Sequence, residues 1–173
     1  MANVSPSQKA VAFFEQGYNC AQATAAAFAD HIGMEAKAVH KVMAGFGGGM
    51  GGSRGTCGAV SAMVFVAGAV AGGYAPTDRA SKKALYDTVK KMLGEFSQRH
   101  ATTSCYELLR SAACSPAPDP SERTAEYYAK RPCARFVASA ADIAFRTLFA
   151  PGAQDQQDRA GMAAPAVTGQ GTE

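Results

Sequence analysis

The sequence predicts an all-α protein: a compact bundle of about five to seven helices with a Gly-rich loop and a flexible C-terminal tail. Apolar residues recur at helical spacing in several segments, of which KKALYDTVKKMLGEF is a long example. Alanine is abundant, which favours helices and lets neighbouring helices approach closely. Runs that alternate β-branched and polar residues, which would indicate strands, are missing.

The elements of the first half are bounded by start and stop signals. Ser5 before Pro6 opens the first helix, and GYN at 17–19 separates it from a second helix that starts at Cys20. The segment EAKAVHKVMAG also looks helical, and it leads into the glycine-rich stretch GFGGGMGGSRGTCG, which begins at residue 45. The apolar run over 57–71 then predicts a long helix.

The second half continues the helical pattern. GGYAPTD at 72–78 separates two long helices, the second of which ends near QRHATTS. A short helix follows at about 105–113, then SPAPDPS as a rigid proline loop, and then a final helix at about 132–149. Because the sequence beyond Pro151 has neither periodicity nor bulky apolar residues, we expect one helical domain over 1–150 and a flexible tail over 151–173.

Composition and charge exclude several functional classes. The 173 residues suffice for one domain with a real core, and the formal net charge of +3 comes from Lys and Arg scattered among acidic residues. We therefore expect no nucleic-acid partner. The longest apolar run is too short to cross a bilayer and no secretory signal opens the chain, so we expect no membrane partner and a cytoplasmic location. Ala-rich apolar surfaces are compatible with a homo-oligomer.

Four of the five cysteines share one position: the first turn of a predicted helix. They are Cys20 after Asn19, Cys57 after Thr56, Cys105 after Ser104 and Cys133 after Pro132. Asn, Thr and Ser cap helix N-termini, and proline suits the first helical position. Unpaired amides and the helix dipole at such positions favour thiolate, the form that ligates metals or reacts in redox chemistry. Cys114 lies at a helix end before the proline loop, where the dipole has the opposite sign, so we exclude it from the site.

The glycine-rich loop supplies the second part of the predicted site. Glycines let the backbone approach a bulky or anionic group closely, so we expect Gly49, Gly52, Gly55 and Gly58 to line a bound cofactor beside Cys57, with Arg54 offsetting its charge. GGGMGG at 47–52 also matches a dinucleotide-binding spacing, but that motif needs a preceding strand and the segment before it looks helical. Anion binding by the loop and Arg54 stays as an alternative.

The order YNCAQA, GFGGGMGGSRGTCGAVSA, SCYELL and RPCARFVASAADI resembles a known family. It is the family called "putative redox-active protein", named for its C-GCAxxG-C-C cysteine pattern, which is also similar to part of split-Soret cytochrome c. The resemblance covers about residues 7–149, and on it Cys20, Cys57, Cys105 and Cys133 match the four cysteines of the family. It implies redox chemistry, and the cytochrome similarity implies an iron–sulfur centre.

Three chemistries are compatible with four such thiols. We favour an iron–sulfur cluster, [2Fe–2S] or [4Fe–4S], that carries electrons to or from a redox partner protein, a role more typical of an electron carrier than of an enzyme. A zinc or copper module with four cysteine ligands is the first alternative, although structural zinc sites usually contain closely spaced C-x-x-C pairs that this chain lacks. A thiol–disulfide couple, such as one between Cys20 and Cys57, is the second.

Overall fold

The computed structural model describes residues 4–117, 119 and 121–150. Within these ranges the regular structure is helical, with eight α-helices and two short 3₁₀ turns, so the all-α prediction is confirmed. The α-helices are α1 (Pro6–Glu15), α2 (Cys20–Ala26), α3 (Ala36–Met43), α4 (Gly58–Ala71), α5 (Arg79–His100), α6 (Cys105–Ser111), α7 (Ala125–Lys130) and α8 (Cys133–Leu148). The count exceeds the predicted range because the six-residue α7 is too short to show periodicity.

Helix α2 is the centre of the bundle. It packs against α1, α3, α4 and α8, while the long α5 lies across α4 and α8. Together with Thr24, four alanines of α2 are fully buried: Ala21, Ala23, Ala25 and Ala26. Because each carries only a methyl group, four helices can approach this short segment closely. The high alanine content of this segment thus allows the helices around α2 to pack closely.

Larger side chains fill the space around this alanine centre. Phe14, Phe28 and Phe96 are fully buried, and so are the methionines Met63 and Met92. Burial of each such side chain contributes about 1.5–3 kcal/mol relative to exposure. The predicted apolar stripe of α5 is present, but only its Met92 and Phe96 are buried, and the remaining apolar residues are half-exposed at the edge of the core.

Helix starts follow the predicted caps at most positions. Ser5 forms a reciprocal capping box with Gln8, and Ser104 caps α6 by accepting the amide of Glu107. Thr56 is the exception, because Cys57 itself occupies the N-cap position of α4 and Thr56 lies in an isolated antiparallel bridge with Ser104. The prediction that Thr56 caps this helix is therefore wrong.

Charged residues tie α5 to α8 on the surface. Glu95 and Asp142 each accept from both Arg99 and Arg146, which produces a four-residue network across the two helices. Arg99 lies 2.9 Å from Asp142, and Arg146 contacts Asp142 at 3.1 Å. Several charges in one network stabilise more than isolated surface pairs do.

The ends of the chain and part of the predicted proline loop lie outside the described residues. Pro118 and Pro120 fall in that loop, and the predicted tail over 151–173 is likewise not described. Among the described helices, none combines the length and the apolar character needed to cross a bilayer.

Candidate functional site

The four predicted cysteines line one small cavity, which we call the thiol cavity. Its volume is about 50 Å³. Cys20, Cys57, Cys105 and Cys133 reach it from the starts of α2, α4, α6 and α8, respectively. The structure thus brings together residues that are 113 positions apart at the extremes of the set, from 20 to 133. Phe14, Leu108 and Phe136 supply apolar walls.

Asn19 and Gly58 determine where Cys20 lies. The side chain of Asn19 accepts the amides of Ala21 and Gln22, which starts α2 at Cys20. The Cys20 sulfur then sits directly against the backbone of Gly58, where a Cβ would lie only 2.6 Å from Sγ. Gly58 is therefore required as glycine because a thiol occupies the space that its side chain would take.

A short antiparallel contact aligns Cys57 with Cys105. The amide of Cys57 donates to the carbonyl of Thr103 at 2.8 Å, and the amide of Cys105 donates to the carbonyl of Gly55 at 2.7 Å. These reciprocal bonds flank the bridge between Thr56 and Ser104. The two helix starts are therefore fixed side by side, with one cysteine at each.

The glycine-rich loop has a left-handed backbone. Five consecutive residues, 48–52, have φ between 60° and 82°, and Met50 is the one non-glycine among them. Glycine adopts this region without a Cβ penalty, which explains the composition of the segment. Gly49 also lies against Cys105, because a Cβ on Gly49 would come within 2.8 Å of the Cys105 Cβ.

Hydrogen bonds inside the loop engage its backbone amides. The amides of residues 50–55 all donate to loop carbonyls between residues 45 and 50, for example Gly52 to Gly47 and Gly55 to Gly49. These amides are therefore already bonded within the loop. None of Gly49, Gly52, Gly55 and Gly58 lines the thiol cavity, and Gly52 lies on the wall of a neighbouring cavity, so their contact with a cofactor stays a prediction.

Arg54 connects the loop to the thiol cavity. Its Nη1 lies 4.0 Å from the Cys105 sulfur, while Nε donates to the carbonyls of Pro116 and Ala117 at 3.2 and 3.1 Å. Nη2 also donates to Ala117. The guanidinium is thus fixed beside a thiol by the segment that follows α6, in agreement with the predicted position of Arg54 near the site.

Burial controls the protonation of the thiols. It raises the pKa of Cys57 well above its usual value, and the nearby Cys20 raises it further, although the amides of Ala59 and Val60 act in the opposite direction. Burial, with Cys20, raises the pKa of Cys133 to about 12. Burial also raises the pKa of Cys105, despite the hydrogen bond from Arg54. Burial therefore outweighs the helix N-termini at Cys57, Cys105 and Cys133 and favours the thiol over the thiolate there, contrary to the prediction from the helix dipole.

Two arginines of the site were not found by sequence analysis. Arg123 precedes α7 and Arg131 follows it, and both line the thiol cavity together with Tyr127 of that helix. Their positive charges act to lower the pKa of Cys133. Arg131 could have been identified from the sequence, because it lies two residues before Cys133. Arg123 is not close to any of the four cysteines in the sequence.

Cys114 lies apart from the thiol cavity. Its sulfur contacts the carbonyl of Lys130 at 3.1 Å, and it lines a different surface depression. Among the described residues, no three His, Cys, Asp or Glu side chains are arranged to hold one metal ion. The five cysteines are all free thiols.

Comparison with known proteins gives one match. The model of the family described as "Putative redox-active protein (C_GCAxxG_C_C)" matches residues 18–147, which include all four cysteines of the thiol cavity. The search of curated proteins gave no match, and neither did the search of solved structures.

Proposed function

The chain belongs to the family described as "Putative redox-active protein (C_GCAxxG_C_C)", and from that premise we propose that its four cavity cysteines ligate an iron–sulfur cluster used for electron transfer. One observation carries the proposal: Cys20, Cys57, Cys105 and Cys133 start four different helices and line one cavity. Four thiolates are the usual ligands of such clusters.

The chemistry of the donor set supports a cluster over a single ion. A zinc ion holds each of its sulfurs at about 2.3 Å, which requires the ligands to converge on one point. No group of three such ligands converges on one point among the described residues. A cluster distributes its four cysteines over two or more irons, so its ligands lie farther apart. The lack of three converging ligands therefore counts against a preformed single-ion site among the described residues, and the cluster proposal rests on the four thiols that line one cavity.

The charges around the cavity support the same proposal. Bound metal deprotonates a coordinating thiol, because the cation compensates the cost of the buried negative charge. Arg54, Arg123 and Arg131 provide further positive charge around the thiols. A bound cluster supplies a one-electron couple. The arginines would stabilise the more negative, reduced state, while Phe14 and Phe136 limit access of water.

Anaerobic purification tests this proposal. A brown protein that contains iron and acid-labile sulfide is the expected result, with visible absorbance that bleaches on reduction. A colourless protein with stoichiometric zinc would instead assign the four-cysteine zinc module. A colourless protein without metal would contradict both metal sites.

A thiol–disulfide couple is the second candidate, and the position of Cys20 favours it. Its sulfur lies against Gly58, the residue after Cys57, and its proximity acts to raise the pKa of Cys57, Cys105 and Cys133. Formation of a Cys20–Cys57 disulfide would remove two hydrogen atoms, with their electrons passing to an oxidant such as a partner disulfide. Intact mass and thiol counts of the metal-free protein, before and after treatment with oxidised glutathione, distinguish this candidate from the cluster.

A further inference from the structure

A second, larger cavity adjoins the thiol cavity, and we call it the outer cavity. Its volume is about 370 Å³, within the range of small-molecule sites. None of the four cysteines lines it, but it shares a wall of six residues with the thiol cavity: Asn19, Gly48, Arg54, Arg123, Tyr127 and Arg131. A molecule in the outer cavity would therefore lie one layer of residues from the thiols.

The lining of the outer cavity is strongly basic. Three arginines face it against a single carboxylate, that of Asp119. Asn19 and Ser121 add neutral polar groups, and Tyr127 adds an aromatic wall. Such a surface favours a negatively charged occupant, because the field inside a concave site is focused by its low-dielectric walls.

Arg123 has an unsatisfied donor at this wall. Its guanidinium is packed among aromatic rings, 4.9 Å from the centroid of Phe14 and 4.6 Å from that of Tyr127. The Nη1 atom is buried and has no hydrogen-bond partner. A buried donor without a partner is unfavourable, and more so when the group is charged. An anion in the outer cavity would supply a counter-charge to this guanidinium, because Arg123 lines that cavity.

The other two arginines are already oriented. Arg131 donates from Nη2 to the carbonyl of Ser115 and to the hydroxyl of Ser121, and its guanidinium lies 5.1 Å from the Tyr127 centroid. Arg54 is held by the carbonyls of Pro116 and Ala117. Because these contacts fix the side chains before any ligand arrives, little conformational entropy remains to be lost on binding.

We propose that the outer cavity binds a small anion through its carboxylate or oxyanion oxygens, with Arg123 as the main ligand and Arg131 as the second. Guanidinium groups present pairs of donors that match these planar or tetrahedral oxygen groups. The inference concerns binding alone, and it goes beyond the proposed function without depending on it.

Titration calorimetry with sodium sulfate and with disodium succinate tests this site on the full chain. Both probes are titrated into metal-free protein and into iron-loaded protein at low chloride concentration. We expect Arg123→Gln to weaken binding about tenfold or more, and Arg123→Lys to weaken it less because the charge stays. Arg110→Gln is the matched control, since Arg110 is exposed on α6 and lines neither cavity. Circular dichroism verifies that each variant is folded.

The outcomes separate the site from its competitors. Binding of sulfate alone assigns an inorganic oxyanion, and binding of succinate alone assigns a carboxylate; either supports the site when Arg123→Gln weakens it and Arg110→Gln does not. Equal loss in both variants would show a non-specific surface effect and overturn the site. Binding that disappears on iron loading would show that the arginines serve only the cluster, and no heat with wild-type protein would also overturn the site. Iron and sulfide analysis tests the proposed function separately.

Discussion

Cys57 and Cys105 each follow a residue of one antiparallel bridge, Thr56 paired with Ser104, and the amide of each cysteine donates to the segment that precedes the other. The amide of Cys57 bonds to Thr103, and the amide of Cys105 bonds to Gly55. This arrangement relates two cysteines that are 48 residues apart in the sequence. A substitution that disturbs one of these two helix starts should therefore also displace the cysteine at the other.

The cysteines of the thiol cavity should differ from Cys114 in their effect on the cofactor. We expect Cys57→Ser and Cys105→Ser to reduce iron content and visible absorbance by about 10- to 100-fold, since each change removes a proposed ligand. Cys114→Ala should retain the iron content of the wild type, because Cys114 lies outside the cavity. Iron analysis and visible spectra of anaerobically purified variants measure both. Equal loss in Cys57→Ser and Cys114→Ala would contradict this choice of ligands.

Gly58→Ala should displace the Cys20 thiol. The new Cβ would lie 2.6 Å from the Cys20 sulfur and 2.8 Å from the Phe46 carbonyl, so we expect a destabilisation of about 1–3 kcal/mol and a loss of bound iron. Urea unfolding and iron analysis measure the two effects. Gly68→Ala in the same helix is the control, because a Cβ there meets nothing within 4 Å and alanine should stabilise the helix by about 0.5–1 kcal/mol. A Gly58→Ala protein as stable and as iron-rich as the wild type would refute the close approach of Cys20.

Thiol alkylation should depend on pH in the metal-free protein. Burial, with the nearby Cys20, raises the pKa of Cys133 to about 12, so its thiolate is scarce at pH 8 and increases about tenfold for each pH unit up to that value. We expect iodoacetamide to modify Cys133 slowly at pH 8 and progressively faster at pH 9 and 10. Mass spectrometry of tryptic peptides gives the rate for each cysteine. A rate at Cys133 that does not change with pH would contradict the protonated, buried state.

Glu95→Gln should weaken the contact between α5 and α8. Partial burial acts to raise the pKa of Glu95, but the hydrogen bond and charge of Arg146, together with Arg99, outweigh it and lower the pKa below its usual value. A lowered pKa in the folded state stabilises the protein above the unfolded pKa of about 4.3, and this stabilisation is lost as pH falls through the folded pKa. We expect a loss of about 0.5–1 kcal/mol at pH 7 that shrinks toward zero at pH 3.

The control for this network is Asp87→Asn, because Asp87 pairs only with Lys83 and Lys90 of its own helix in the contacts described. It should cost less stability at pH 7 than Glu95→Gln does, because solvent screens exposed ion pairs. Urea unfolding across pH 3–7 measures both variants. A Glu95→Gln difference that does not change with pH would show that the charge of Glu95 does not contribute.

Local signals predicted much of the fold. Ser5 with Pro6, Asn19 and Ser104 start helices at the predicted residues, because capping depends on one side chain and the few amides next to it. The turn at 72–78 lies between α4 and α5 as predicted. The same local signals placed the four cysteines at or beside helix starts. Their meeting in one cavity follows from the packing of α2, α4 and α8 and from the bridge that holds Cys105 beside the start of α4.

Non-local features could not be predicted in the same way. The bridge between Thr56 and Ser104 depends on two segments that are distant in the chain, so Thr56 was misassigned as a cap. The role of Arg123 depends on the packing of its guanidinium against Phe14, and the adjoining α7 has only six residues. The raised pKa of Cys57 arises from burial, which acts against the helix dipole, and burial is a property of the assembled core.

The four cysteines of the thiol cavity are also synthesised in a fixed order, from Cys20 to Cys133. Cys20 leaves the ribosome long before Cys133, yet both belong to the same cavity, so no partial chain that ends before α8 can complete it. The other three thiols are therefore made before the cavity can be complete. A cofactor that needs all four sulfurs would require α8 to have docked, and truncation just before residue 133 would abolish its insertion while leaving α1–α7 encoded in full.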